Sequence, residues 1–166
     1  MIELLTVVAI IATISALVAA NYHQGGKQAA LEMEINKLAQ NARRAQEWAL
    51  AAHEVGGVSR PGYGIYCDSS SPGSYILYAK KSGSTSTRYE AGDVVMETVA
   101  LDKNVEIASC SPDHASVNFA PPDPTTIMNS GGATFDTAEI ELRIKNTAIT
   151  HETVINRAGL IYVDVE

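Results

Sequence analysis

The chain begins MIELLTVVAIIATISALVAANYHQGG (1–26), a long and almost uncharged apolar segment. Glu3 is its only formally charged side chain, and the next charge along the chain is Lys27. From Leu4 to Ala20 the only polar side chains are three hydroxyls, those of Thr6, Thr13 and Ser15. A helix of about 20 such residues, rising 1.5 Å per residue, is as long as the hydrocarbon core of a bilayer is thick. The pattern therefore predicts an apolar helix that must be covered by lipid or by other helices.

Glu3 is the anomaly of this segment, because a carboxylate close to hydrocarbon is unfavourable unless it meets a positive group. A cleavable secretory signal usually begins with basic residues, so the acidic start argues against that interpretation. The terminal amine of a neighbouring copy, at Met1, would supply the positive group. We therefore predict that the helices pack on copies of themselves and that the first turn makes the assembly contacts, through Met1, Ile2, Glu3, Leu4 and Leu5.

Small residues recur at four-residue spacing within the same segment, at Ala12, Ala16 and Ala20. Such spacing lets helix backbones approach closely in apolar surroundings, so these alanines are candidate helix-packing residues. Gly25 and Gly26 follow, and each glycine inside a helix costs about 1 kcal/mol relative to alanine. The glycine pair is therefore predicted to mark a bend, or a place where the helix can unwind.

Composition limits the chain to one folded domain, with at most an appendage. The chain has 166 residues, of which 46% are apolar and 19% charged, as is ordinary for a folded protein. Its 19 acidic and 12 basic residues give a net charge of −7. An acidic surface repels phosphate backbones, so the composition disfavours a general nucleic-acid binder.

The segment 27–54 is predicted to continue the helix in amphipathic form. Its apolar residues recur at three- and four-residue steps, at Leu31, Ile35, Leu38, Ala42, Ala45 and Ala49. Trp48 lies beside this apolar stripe, and charged residues occupy the other face. The pair Gly56-Gly57 is predicted to cap the C-terminus of the helix.

The region 62–166 is predicted to be β-rich, because short apolar runs alternate with turn residues. The predicted strands are 63–67, 74–81, 94–101, 105–109, 138–145, 150–155 and 160–165. A Ser-Pro-Gly turn predicts a hairpin between the first two, and Asp102-Lys103-Asn104 predicts another between the third and fourth. Short connections favour antiparallel pairing without crossover helices. Segments 82–87 and 121–132 are predicted to be loops.

Cys67 and Cys110 stand outside any C-x-x-C pattern, so they do not make a four-ligand zinc site by themselves. In an exported domain two such cysteines more often pair, and closing so long a loop stabilises by about 3–4 kcal/mol. The sequence favours this disulfide, conditional on export, and two unpaired buried thiols are the alternative.

No spacing in the sequence is typical of a catalytic or metal site. The histidines are scattered, with no H-x-x-H or H-E-x-x-H spacing, at His23, His53, His114 and His151. The sequence has no G-x-S-x-G elbow, P-loop or Rossmann fingerprint, and nothing marks a base for Cys67. We therefore expect neither enzyme activity nor a cofactor.

The segment IELLTVVAIIATISALVAANY (2–22) resembles the N-terminus of type IV pilins and pseudopilins, which carry Ile-Glu-Leu-Leu and then an uninterrupted apolar helix. The resemblance implies an α+β fold in which a long N-terminal helix packs against antiparallel sheets. Its apolar half (1–26) would protrude for assembly, and 27–166 would form a globular head made of the helix 27–54 and the β-rich region 62–166. In that family the acid pairs with the amine of an adjacent subunit, and Glu3 falls on that acid. The family acid usually stands fifth in the mature chain, whereas here it stands third.

The resemblance implies a pilin, a structural subunit of a type IV pilus-like surface filament that serves adhesion or motility. Its partners would be copies of itself, the prepilin peptidase and the pilus assembly machinery, with the inner membrane as anchor before assembly and no nucleic acid. The segments GYGIYCD (62–68) and AGLIYVDV (158–165) make the head similar to H-type minor pseudopilins. The alternative is therefore a minor pseudopilin of a type II secretion or DNA-uptake machine. A third interpretation is a membrane-anchored extracytoplasmic enzyme or binding module.

Overall fold

The computed structural model describes residues 2–121, 125–130 and 133–164, and within the helix it describes all side chains except those of residues 17 and 19–24. In this part of the chain one α-helix, α1 (Ile2–Leu50), precedes twelve β-strands. The strands are β1 (Glu54–Val55), β2 (Val58–Ser59), β3 (Tyr63–Tyr66), β4 (Ser74–Ala79), β5 (Val94–Ala100), β6 (Val105–Ser111), β7 (Ser116–Ala120), β8 (Thr125–Ser130), β9 (Ala133–Phe135), β10 (Thr137–Ile144), β11 (Thr150–Asn156) and β12 (Ile161–Asp164). All of the strand pairs are antiparallel, so the predicted α+β class is confirmed.

The second half of α1 forms the spine of the core, as the apolar stripe predicted. All six residues of the stripe are at most 1% exposed: Leu31, Ile35, Leu38, Ala42, Ala45 and Ala49. The last three are alanines, whose small side chains allow the strands to lie close to the helix axis. α1 contacts β3 and β7 on one side and β6, β10, β11 and β12 on the other, so it holds the two large sheets together.

α1 ends in a Schellman motif, in which the last carbonyls accept hydrogen bonds from the residues that follow the helix. Ala52 takes a left-handed backbone conformation (φ 45°) and donates its N–H to the Ala49 carbonyl at 3.1 Å. The His53 N–H donates to the Trp48 carbonyl at 2.9 Å, and the two rings stack with centroids 6.1 Å apart. The helix thus ends at Leu50, four residues before the end of the predicted helical segment 27–54.

The prediction that Gly56 and Gly57 cap the helix is wrong. They form the two-residue turn between β1 and β2, with φ values of 65° and 73°. A tight hairpin turn of this kind needs positive φ at both central residues, which glycine adopts without strain. A glycine pair after a helical pattern can therefore either cap the helix or form a hairpin turn, and in this chain it forms the hairpin turn.

Two antiparallel sheets cover the second half of α1. One has six strands in the order β5-β4-β3-β7-β8-β9, and the other has four in the order β12-β11-β10-β6. The predicted β3–β4 hairpin is confirmed, as is the clean alternation along β10, where Ile140, Leu142 and Ile144 are all at most 2% exposed.

The hairpin predicted across Asp102-Lys103-Asn104 is wrong. β5 pairs with β4 at the edge of the six-stranded sheet, whereas β6 pairs with β10 in the four-stranded sheet. The turn itself is present, since the Asp102 carboxylate accepts the Asn104 N–H at 2.8 Å. It therefore carries the chain from one sheet to the other instead of folding a strand back on its neighbour.

The predicted loop 121–132 contains the strand β8, which pairs with β7 on one side and β9 on the other. Residues 122–124 and 131–132 of that segment lie outside the described residues. β7 was also missed, although its sequence, Ser-Val-Asn-Phe-Ala, alternates polar and apolar residues; in the structure Ser116 and Asn118 are buried, at 1% and 2% exposed. The other predicted loop, 82–87, does lack a strand.

A disulfide between Cys67 and Cys110 joins the two large sheets, with the Cα atoms 6.3 Å apart. Cys67 follows β3 directly and Cys110 lies within β6, and the two residues are 0% and 6% exposed. The pairing that the sequence favoured is thus present, and export of the domain stays a prediction.

Candidate assembly surface and a polar cleft

The first half of α1 carries an uncovered apolar surface, which we call the N-terminal surface and define as the described side chains between Ile2 and Val18. Its nine large aliphatic side chains are 54–78% exposed: Ile2, Leu4, Leu5, Val7, Val8, Ile10, Ile11, Ile14 and Val18. Over the side chains described, no helix of the chain combines the length and the hydropathy needed to span a membrane. Soluble monomers rarely expose contiguous apolar patches of more than a few hundred Å², so a surface of this extent calls for a cover.

The hydroxyl groups of Thr6 and Thr13 do not leave unused hydrogen-bond donors on the N-terminal surface. The Thr6 hydroxyl donates to the Glu3 carbonyl at 2.8 Å, and the Thr13 hydroxyl donates to the Ile10 carbonyl at 2.8 Å. Each hydroxyl hydrogen is thereby used within the helix. A partner helix that covers this surface therefore need not supply an acceptor for either group.

Glu3 is the single formal charge on the N-terminal surface, and it is exposed in the first turn of α1. The next charge, Lys27, lies about 36 Å away along a helix that rises 1.5 Å per residue. Among the described residues no ion pair involves Glu3. Met1, whose amine was predicted to meet a neighbouring carboxylate, lies outside the described residues. A side-chain cation that meets Glu3 must therefore come from another molecule.

The predicted packing residues Ala12 and Ala16 lie one turn apart and are both exposed. The side chain of Ala20, the third of that series, lies outside the described residues. α1 runs without interruption through Gly25 and Gly26, where an added Cβ would meet nothing within 4 Å. The two glycines are thus not needed for contacts within the chain, and the bend predicted there stays a prediction.

A second candidate site is a polar cleft of about 540 Å³ on the head, which the sequence did not predict. It opens between β3, the loop that precedes β5, and the neighbouring ends of β7 and β8. The side chains that matter for its chemistry are Tyr66, Arg88, Tyr89, Glu90, His114 and Asn129. They come from four separate segments of the chain, so no local spacing marks them as a group.

One wall of the cleft is held by a buried ion pair. Lys80 Nζ lies 2.6 Å from Asp93 Oδ2, and the two side chains are only 1% and 2% exposed. Lys80 also donates to the Arg88 carbonyl at 2.5 Å, and Asp93 accepts the Glu90 N–H at 2.8 Å. A buried ion pair is tolerated only when further hydrogen bonds satisfy both partners, as they do here. The pair thus holds the loop before β5 at two points, Arg88 and Glu90.

The second wall is aromatic. The rings of Tyr66 and Tyr89 stack with centroids 4.7 Å apart, and Tyr89 lies tilted against Tyr78 at 5.2 Å. The Tyr89 N–H donates to the Ser116 hydroxyl at 2.9 Å, which ties the loop to β7. Burial raises the pKa of Tyr66, and its phenol can donate a hydrogen bond.

The rim of the cleft carries charges of both signs. His114 Nδ1 lies 3.0 Å from Asp68 Oδ1, and its Nε2 lies 3.6 Å from Asp113 Oδ2. Hydrogen bonds from Ser70 lower the pKa of Asp68, and a hydrogen bond from Ser69 lowers that of Asp113.

Arg88 Nε lies 3.2 Å from Glu90 Oε1 on the same rim, and hydrogen bonds from Ser86 and Arg88 lower the Glu90 pKa. Across the described residues, no group of three or more ligating side chains is placed to hold a metal ion.

Comparison of the chain with protein-family models, with curated proteins and with solved structures found no match.

Proposed function

We propose that this chain is a structural subunit of a type IV pilus-like surface filament and that it polymerises through the first half of α1. The observation that carries the proposal is the N-terminal surface, where nine large aliphatic side chains are uncovered beside one carboxylate, Glu3. The second half of the same helix is fixed in the folded head. A subunit of this design can offer the surface to copies of itself without any change in the head.

Burial of the N-terminal surface is of the right size to support association. Removing a leucine, isoleucine or valine side chain from water contributes about 1.5–3 kcal/mol, so nine partly exposed ones contribute on the order of 10 kcal/mol. The loss of translational and rotational freedom opposes association by roughly 4–15 kcal/mol. Apolar burial alone is thus close to balance, and it carries no preference for one register of the helices over another.

Glu3 supplies the register. A carboxylate covered by apolar side chains is strongly unfavourable unless a cation meets it, and no cationic side chain of its own chain is within reach. The terminal amine of a neighbouring copy meets it in one stagger of the helices. Ala12 and Ala16 allow the close approach that this packing requires. Before assembly the subunit would be anchored in the inner membrane and processed by a prepilin peptidase, as the resemblance implies.

The test is the variant Glu3→Gln, which removes the charge and keeps the size of the side chain. Glu32→Gln is the matched control, because Glu32 is an exposed acid on the part of α1 that belongs to the head. Filaments sheared from cells that produce each variant are quantified, and fluorescence of the only tryptophan, Trp48, checks that the head is folded. We expect at least tenfold fewer filaments for Glu3→Gln, normal yield for Glu32→Gln, and an intact head in both.

Normal filament yield from Glu3→Gln would contradict the assembly role of Glu3. A plain membrane anchor would tolerate both that variant and a shuffled order of the apolar residues. The minor-pseudopilin alternative predicts the same loss of incorporation for Glu3→Gln, but with the chain present as a trace component beside another dominant subunit.

A further inference from the structure

We infer that the polar cleft binds a pyranose ring of a saccharide. The inference does not depend on filament assembly, because every residue that carries it belongs to the head. It rests on the pairing of a partly exposed aromatic wall, Tyr66 and Tyr89, with polar side chains around the rest of an open cleft of about 540 Å³.

The aromatic wall suits the apolar side of a sugar. A pyranose has a face made largely of C–H groups, which packs on an aromatic ring, and an equatorial belt of hydroxyls that donate and accept hydrogen bonds. Tyr66 and Tyr89 both line the cleft and are partly exposed. Tyrosine also keeps a hydroxyl at its edge, so one side chain offers both kinds of contact.

The remaining lining suits hydroxyls better than it suits an anion or an apolar ligand. Arg88 is half exposed at the rim and keeps spare N–H donors, since its Nε is the atom that lies against the Glu90 carboxylate, and Glu90 itself accepts. Arg88 lies beside Glu90, and the carboxylates of Asp68 and Asp113 lie beside His114, so no net positive field favours a phosphate or a sulfate. The mixture of donors and acceptors fits a neutral, polyhydroxylated ligand.

The walls of the cleft are already in place without a ligand. The Lys80–Asp93 ion pair holds the loop through the Arg88 carbonyl and the Glu90 N–H, and Asn129 Nδ2 donates to the Thr87 hydroxyl at 2.9 Å. Binding therefore orders few side chains, which lowers the entropy that a small ligand must offset.

The experiment is saturation-transfer NMR on the full chain in a detergent without a sugar head group. The probes are glucose, galactose, mannose and N-acetylglucosamine, and inorganic phosphate is added as an anionic competitor, because it has no C–H hydrogens of its own to observe. Two variants test the cleft: Arg88→Gln replaces the charged guanidinium of the rim with a shorter, neutral amide, and Ala91→Trp places an indole at an exposed position of the lining. Arg157→Gln is the matched control, because Arg157 is another exposed arginine paired with an acid, Asp136, that does not line the cleft.

We expect saturable binding of at least one sugar, and we expect phosphate not to displace it. Arg88→Gln should weaken the binding about tenfold or more, as loss of a hydrogen bond from a charged donor does, Ala91→Trp should abolish it, and Arg157→Gln should leave it unchanged. The inference is overturned if no sugar of the panel binds, if phosphate competes for the site, or if Arg88→Gln and Ala91→Trp bind like the parent chain.

Discussion

Removal of the Cys67–Cys110 disulfide, by Cys67→Ala with Cys110→Ala, should lower the free energy of unfolding by about 4 kcal/mol. The bond closes a loop of 43 residues between the two large sheets, and chain-entropy arguments give about that value for a loop of this length. A domain of this size is stable by roughly 5–15 kcal/mol, so the loss is a large share of the total. We therefore expect the head to remain folded but to unfold at a much lower urea concentration.

The assay is urea unfolding of the full chain, followed by the fluorescence of Trp48. The indole lies where the end of α1 meets the six-stranded sheet, 6.3 Å from the Tyr63 ring and 4.6 Å below the Arg44 guanidinium. Its emission therefore reports the packing of helix on sheet. The slope of the unfolding free energy against urea should also rise, because an unfolded chain without the cross-link exposes more surface.

Reduced parent protein is the control that separates the cross-link from packing. It keeps both buried sulfur atoms but loses the bond, so it should unfold close to the double variant. If the double variant and the reduced parent both unfold within about 1 kcal/mol of the oxidised parent, the bond does not restrain the unfolded chain, and the entropic reasoning fails.

Three further substitutions test the packing of the head. Gly64→Ala should lower the free energy of unfolding by about 1–3 kcal/mol, because an added Cβ would lie 2.0 Å from the Val117 carbonyl oxygen; an unchanged urea midpoint would refute that close approach. Asp93→Ala should cost about 3–5 kcal/mol by leaving the Lys80 ammonium buried without its partner, and a thermal midpoint equal to the parent's would contradict this reading of the ion pair. Ala52→Gly should stabilise by about 1 kcal/mol in the same urea assay, because glycine adopts the left-handed conformation at the helix end without strain; a loss of stability would count against the Schellman cap.

The sequence is most informative where one period repeats for long enough. The apolar stripe of α1 and the alternation along β10 were predicted residue by residue, because each places side chains on one face by geometry alone. The disulfide was favoured for a different reason, namely the tendency of isolated cysteines to pair in exported domains.

Prediction failed where local residues permit more than one long-range arrangement. Asp102-Lys103-Asn104 makes the same tight turn whether the next strand returns to its neighbour or joins another sheet. Gly56-Gly57 can end a helix or turn a hairpin. β7 escaped notice because its signal is short: Ser-Val-Asn-Phe-Ala alternates polar and apolar residues over only five positions, directly before the breaker-rich segment 121–132.

The polar cleft could not be predicted at all, since it exists only after four segments have been brought together. Tyr66 lies at the end of β3, the segment 88–91 lies in the loop before β5, and Asn129 comes from a strand that was predicted to be a loop. The polar composition of 82–87 predicted a loop next to the lining segment 88–91. It gave no indication of the Lys80–Asp93 ion pair that holds that segment in place.

A helical reconstruction, by electron cryo-microscopy, of filaments sheared from cells that produce this chain would show where the first half of α1 lies in the assembly. We predict a thin filament in which this chain repeats, with residues 2–16 in the interior, Glu3 close to the N-terminus of a neighbouring copy, and the two sheets of the head outside. A filament from which this chain is absent, or in which residues 2–16 face the solvent while the heads alone make the contacts, would contradict it.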